Sequence, residues 1–432
     1  MPTERRSLLS STARIQVPYI KILLGDKNDG FTFGVFTKST LTSGKSNHQL
    51  YTDYGIQYPN YVQELKVVKI NGQINQYTLT IAYPVTQNDD PNFFEKIFSS
   101  ISDTRKITFT YGDAAMPSYV YKNEEAIITD IKQSFSFGNN GTMQSVIIYT
   151  ISAVSNAVVA KSSTFSFTKS GLAKPSDEIK AVFKNKNYGL RDLFTGMSAD
   201  NLDILIAGDD KYVEIQPKTN ISPLDYITYL VSCMVPAGAI GNTVNNDIYI
   251  LSLYDDTVYD RAYNNGNTLG GPYFRVSKVS TSVEHSDAYE VDVGYNTRTI
   301  VKSFSVNDQE TYSLYHDYNQ KINDEKYVRR LNNNGEWEEI YSPMFTSRND
   351  TYRTRPEDTT RFTKVTKYPI SANITVQGLL RPAQLMQYIR VNILFPGGHK
   401  HIHSGLYIIT KQIDTIGYSG YTTQLELTRI AN

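Results

Sequence analysis

Strict alternation of apolar and polar positions marks the last part of the chain. Across Ser404 to Ile430, Leu406, Ile408 and Thr410 alternate with Tyr407, Ile409 and Lys411, and Thr423, Leu425, Leu427 and Arg429 alternate with Gln424, Glu426, Thr428 and Ile430. A period of two is what a half-buried antiparallel pair requires. The intervening Gly417-Tyr418-Ser419-Gly420 places glycines where a tight turn needs positive φ. The same plan occurs earlier: Ile127 to Gln133, a turn at Gly138-Asn139-Asn140-Gly141, then Val146 to Ile151. Each copy follows a strand, a short helix and a strand. These are Tyr77 to Tyr83, Pro91 to Ile101 and Lys106 to Tyr111 in the first copy, and Ala372 to Gly378, Pro382 to Gln387 and Ile389 to Phe395 in the second. Two similar β units in one chain predict internal pseudo-symmetry rather than a single active site.

The remaining segments fall around these units. Ile15 to Leu24 and Phe31 to Phe36 flank Asp26-Lys27-Asn28-Asp29-Gly30 as a hairpin, after a polar arm, Met1 to Ala13. Thr37 to Pro59 reads as a long loop of the kind that contacts a neighbour. Asn71-Gly72 joins Val62–Ile70 to Ile74–Tyr83 with the strongest short hairpin signal. Asp90 as N-cap and Pro91 at the first turn open a helix whose Phe93, Phe94, Ile97, Phe98 and Ile101 form one apolar face, placed to plug the unit. After Thr168 the pattern turns helical at Pro175 to Lys184 and Leu190 to Thr195, with short strands at Leu202 to Ile206, Lys211 to Ile215 and Asp247 to Leu253. Ser222-Pro223-Leu224-Asp225 has the form of a capping box and starts a helix through Met234. Two strands within Asp287 to Val306 resume the β character, and Asn307 to Tyr368, rich in Tyr, Asn, Arg and Glu, interrupts it as a surface lobe. The expected architecture is mainly β with α+β parts. It comprises a first β-barrel domain with its arm (1–164), a small α/β domain (165–285), a second β-barrel domain (286–306 and 369–432) and an inserted lobe (307–368).

Composition narrows the function classes. At 432 residues the chain exceeds one ordinary core, so several domains are expected. Lys plus Arg and Asp plus Glu are both 43, which leaves no net charge to draw the chain to nucleic acid or a membrane surface. The 33 Tyr and 18 Phe against one Trp suit half-buried strands and wet protein interfaces. A lone cysteine, Cys233, forbids an intrachain disulfide and fits assembly in a reducing compartment. The start has no signal-peptide core, and no run of about eighteen apolar residues spans a membrane.

Candidate chemistry is sparse. His399, His401 and His403 alternate; on a strand they would share a face, and imidazoles suit zinc, nickel or iron. The competing reading, which we prefer, is a polar loop between Gly397-Gly398 and Ser404-Gly405. Cys233 lies in an apolar helix and reads as a core thiol. Asp255, Asp256 and Asp260 miss the EF-hand spacing and read as a solvated loop. No catalytic residue, resident metal or cofactor is assigned.

The C-terminal strands carry a resemblance. Ala372-Asn373-Ile374-Thr375-Val376-Gln377-Gly378, Ser404-Gly405-Leu406-Tyr407-Ile408-Ile409 and Tyr421-Thr422-Thr423-Gln424-Leu425-Glu426-Leu427-Thr428-Arg429 resemble the baseplate hub, or tail hub, proteins of tailed bacteriophages, with the late-control proteins and type VI secretion spike hubs. That resemblance implies a non-enzymatic homotrimer whose two units per chain form a ring of six. The ring would sit in the virion tail baseplate after assembly in the host cytoplasm. It would match a six-fold tail tube on one side and a three-fold central spike or tail lysozyme on the other. Other baseplate proteins and the tape-measure protein would be neighbours, DNA would meet the ring only in transit, and no membrane insertion is implied. Two other classes remain: a receptor- or carbohydrate-binding tail protein, whose exposed Tyr would stack sugars, and a tail-associated cell-wall hydrolase. No Cys-His or paired-carboxylate module supports the hydrolase.

Overall fold

The computed structural model describes residues 18–26, 28, 30–36, 55–59, 61–86, 89–101, 103, 105–113, 121–137, 145–188, 190, 202–234, 248–255, 272–279, 288–294, 301–308, 329–331, 337–339, 370–377, 385–417 and 420–431. The first β unit contains β1 (Pro18–Leu24), β2 (Phe31–Phe36), β3 (Tyr58–Pro59), β4 (Val62–Ile70), β5 (Gln76–Val85), β6 (Lys106–Asp113), β7 (Tyr121–Ser136) and β8 (Ser145–Ser155). Between the units lie the short strands β9 (Phe165–Phe167), β10 (Gly171–Ala173), β11 (Val213–Ile215) and β12 (Lys218–Ile221), with the longer β13 (Ile248–Tyr254) and β14 (Tyr273–Val279). The second unit contains β15 (Tyr289–Gly294), β16 (Val301–Asp308), β19 (Ile370–Gln377), β20 (Tyr388–Leu394), β21 (Gly405–Gly417) and β22 (Gly420–Ala431). Inside the expected lobe, β17 (Arg329–Leu331) and β18 (Trp337–Glu339) pair antiparallel. Asn307 and Asp308 belong to β16; residues 309–328, 332–336 and 340–368 of that lobe, the N-terminal arm, the 37–54 part of the long loop and the turn at Gly138 to Gly141 lie outside the described residues.

The two units repeat one pairing order. In the first it runs β4-β5-β8-β7-β6, in the second β16-β19-β22-β21-β20, all antiparallel. The irregularities repeat as well. A bulge leaves Gln63 unmatched in β4 and Lys302 in β16. Another leaves Thr129 unmatched in β7 and Thr410 in β21. Each of these threonines donates its hydroxyl across the ladder at 3.1 Å, Thr129 to the Ser152 carbonyl and Thr410 to the Glu426 carbonyl. A bulge re-aims the strand beyond it, so both long strands bend at the same place. The flanking strand differs: β1 lies antiparallel to β6, while β15 lies parallel to β20.

Closed barrels are not what these ladders form. Among the described residues, both units belong to one mixed fourteen-stranded sheet. The cause is the outer edge of β4. That edge pairs with the second half of β21, from Lys411↔Ile70 to Gly417↔Glu64, so it cannot close onto β2 even though β2 and β4 come close. This seam also places Ile416 and Tyr421 in the first unit's core, beside Leu65, Val67, Leu79 and Phe109.

Other expectations are corrected in detail. The plug helix runs Phe93–Ser100 with Asn92 at its N-cap position, and Asp90 instead holds the preceding turn by accepting from the Asn92 amide. Phe94 is buried against Phe33 and Tyr149. Leu385 and Met386, expected in a helical segment, form a turn with Met386 at positive φ. Leu202–Leu205 is a helical turn rather than a strand, because Leu202, Leu205 and Ile206 then all face the middle core. Helix Pro175–Lys184 forms as read, and in helix Pro223–Cys233 the Ser222 hydroxyl accepts from the Asp225 amide at 3.1 Å. Cys233 is buried in that core. Among the described residues, no helix is long and apolar enough to cross a membrane.

Candidate functional site

The features that tie the three parts together converge on the Asn71-Gly72 turn. Gly72 takes φ +71 there, which a β-carbon would disfavour. The Asn71 amide donates to the Thr410 carbonyl of β21 at 3.1 Å, and the Gly72 amide donates to the Leu251 carbonyl of β13 at 2.8 Å. The Ser252 hydroxyl donates to Asn71 Oδ1 at 3.0 Å, and the Tyr254 hydroxyl donates to the Leu385 carbonyl at 2.8 Å. One hairpin turn therefore touches both the second unit and the middle part.

Beneath it lies a buried polar cluster. β4, β7 and β21 each turn a charged side chain inward where an apolar one would continue the pattern: Lys69, Glu124 and Asp414. Lys69 Nζ pairs with Glu124 Oε1 at 2.5 Å, and the Tyr77 and Tyr111 hydroxyls approach Glu124 Oε2 at 3.0 and 3.1 Å. Asp414 accepts from the Thr423 hydroxyl at 2.5 Å and from Gln412 Nε2 at 2.7 Å. Asp255, arriving from the end of β13, accepts from Asn75 Nδ2 at 2.7 Å and from the Ser155 hydroxyl at 2.6 Å. The cluster thus holds three carboxylates against one ammonium.

Burial, more than that imbalance, shifts the protonation. Burial raises the Asp255 carboxyl to about 6, and Glu124 adds to the rise, while the Ser155 hydrogen bond opposes it. Burial likewise raises Asp414. Geometry gives the same sense. The Tyr77 oxygen lies 3.0 Å from both Glu124 Oε2 and Asp255 Oδ2, yet it has one proton. With Asp255 protonated, its carboxyl donates to Tyr77, and Tyr77 donates onward to Glu124. This arrangement locks the junction; nothing in it presents a nucleophile or base to solvent.

The residues singled out in the sequence land elsewhere. Asp255, expected in a solvated loop, is buried instead, where Asn75 Nδ2 and the Ser155 hydroxyl donate to it; Asp256 and Asp260 lie outside the described residues. His399, His401 and His403 do not line up on a strand face, since residues 396–404 fold into a loop in which the Phe395 amide donates to the His399 carbonyl. The His401 and His403 rings sit 4.8 Å apart, and His399 is exposed. Among the described residues no group of three or more His, Cys, Asp or Glu is arranged to hold a metal. Lys69, Glu124 and Asp414 escaped the sequence reading. The available signal was a charge on the buried phase of three separate strands.

One surface contrasts with this closed junction. Beyond Thr129, among the described residues, β7 pairs only with β8, and Ile131, Phe135 and Phe137 are exposed, with Phe135 and Phe137 stacked at 6.5 Å.

No family model and no curated protein matches the chain. Solved structures do. The chain is similar to the tail protein from Neisseria meningitidis, at 9% identity and a TM-score of 0.46, over 96% of this chain and 97% of that one. It is similar to the 43 kDa tail protein of prophage MuSo2 from Shewanella oneidensis, at 9% identity and a TM-score of 0.45, over 96% and 97%. It is also similar to an E. coli component of the type VI secretion system, at 8% identity and a TM-score of 0.41, over 87% of this chain and 75% of that one.

Proposed function

We propose that this chain is a structural hub of the tail of a phage or phage-like injection machine. Three copies, each with two β units, form a ring of six units around a channel for the genome. The ring joins a hexameric tail tube to a trimeric central spike and resides in the virion baseplate. Each unit is one curved wall segment of that ring, and the 165–285 part buttresses the wall.

The observation that carries this reading is the repeated pairing order, with its two repeated bulges, in units joined edge to edge by one seam. A chain that places two like units side by side converts three-fold into six-fold contacts without a second gene product. The resemblance in the C-terminal strand motifs points the same way. The role is structural rather than catalytic: the buried titratable groups are spent on holding the three parts together.

The test is the mass of the purified protein by light scattering, with class averages by electron microscopy. A trimer showing six lobes and a central hole is expected. A protein that stays monomeric, alone and with a trimeric spike partner, overturns the reading.

A further inference from the structure

We propose that one copy joins the next by pairing the open half of its β7 with the outer edge of β16 in the neighbouring copy, in the register that β21 and β4 use within one chain. The inference rests on the ring reading and names the contact that the ring needs.

The internal seam is the template. Thr129 and Thr410 are equivalent by bulge, hydrogen bond and pairing order, so Phe135 corresponds to Ile416 and Ser136 to Gly417. Gln63 and Lys302 are equivalent in the same way, so Leu65 of β4 corresponds to Phe304 of β16. Ile416 is 0% exposed because β4 lies beside it and the first unit's core receives it. Its counterpart Phe135 is 57% exposed, and Phe137 just beyond is 77% exposed. β6 covers β7 only from Tyr121 to Ile127, and among the described residues no strand pairs with the same edge from Asp130 to Ser136. β16 ends the path of the sheet and carries Phe304 and Val306, both half-buried against the second core. One molecule therefore displays the two halves of a seam that it also contains in closed form.

Transferring the register puts Lys132 opposite Asn307, Gln133 opposite Val306, Ser134 opposite Ser305 and Phe135 opposite Phe304. Phe135 takes the place against the second core that Ile416 takes against the first. A shift by one residue would turn Phe135 away from that core, so the register is specified by burial. The ladder opens at Ser136. A β-carbon on Gly417 would come within 2.6 Å of the Gln63 carbonyl, and Ser136 carries such a carbon. Each copy offers one edge of each kind, so the contact is head-to-tail and closes into a ring when the rotation allows.

The experiment is disulfide trapping on the full chain. Ser134→Cys with Ser305→Cys in one chain is oxidised and run on non-reducing gels; Cys233 is buried and does not compete. Species of two and three chain masses are expected, reverting on reduction. Ser134→Cys with Asn307→Cys, two residues off register, should give few or none. Thr415→Cys with Lys66→Cys, opposite each other in the internal seam, should trap within one chain and confirms that such pairs are bridgeable. Phe135→Asp should abolish association while the chain keeps its far-UV circular dichroism and a cooperative, concentration-independent unfolding transition, whereas Ser136→Gly should increase the associated fraction. An oligomer that forms without trapping at Ser134 and Ser305, or that traps equally off register or only within one chain, overturns this pairing and leaves the ring. Absence of any oligomer, both alone and with a trimeric spike partner, overturns both.

Discussion

The second halves of β7 and β21 share a bulge, a threonine hydrogen bond and a pairing register, yet their surroundings are opposite. On β21, Gln412, Asp414 and Ile416 are buried at the seam with β4. On β7, the counterparts Ile131, Gln133 and Phe135 are exposed, and Gln133 spends its amide on Glu95 at 2.8 Å. Burial here is a property of the neighbour and not of the strand. Side chains follow the neighbour: Gly417 admits the close approach of the Gln63 carbonyl, and Asp414 is tolerated only because Thr423 and Gln412 satisfy it.

The largest break in this comparison comes from Leu425→Asp with Leu427→Asp. Both leucines lie in the second core, and buried unpaired carboxylates cost several kcal/mol each, so the second unit and its seam should be lost in thermal unfolding. Next, Ile416→Ala should cost about 2–5 kcal/mol in denaturant titrations, while Phe135→Ala in the isolated chain should stay within about 0.5 kcal/mol. Equal costs would mean that the two half-strands are not differently covered. Asp255→Asn then probes the cluster present only on the closed side. Because the folded carboxyl is raised to about 6 from 3.8, its stabilising contribution is complete below the ordinary carboxylate range and is lost as pH rises through about 6. The variant should therefore gain stability relative to the parent between about pH 4 and pH 7, on the order of 1–3 kcal/mol by melting temperature. The smallest and sharpest contrast is Thr129→Val against Thr410→Val. Each removes one hydroxyl bond and should cost about 1 kcal/mol, with similar values if the bulges are equivalent.

The period-two strands and the Asn71-Gly72 turn were legible because alternation and turn chemistry are local. The duplicated order was legible for the same reason, since each copy repeats its elements in sequence. What escaped is non-local. Nothing near Ile416 says that its neighbour is Leu65 rather than a strand of its own unit, so closed barrels were expected where one shared sheet forms. Asp255 looked solvated among hydrophilic neighbours, and only the approach of Asn75, Tyr77 and Ser155 buries it. Lys69, Glu124 and Asp414 each break an apolar phase, but their separation along the chain hides that they share one cluster.

The seam also has a consequence for how the molecule is made. It ties residues 64–70 to residues 411–417, so this contact carries one of the longest loop closures in the fold. During synthesis the outer edge of β4 emerges early and waits, unpaired and apolar on its inner face, until β21 leaves the ribosome. The first unit can collapse beforehand, yet its core stays unfinished until Ile416 and Tyr421 arrive. Such a waiting edge is a template for mispairing between nascent chains, and chains stalled before β21 should aggregate rather than fold in part.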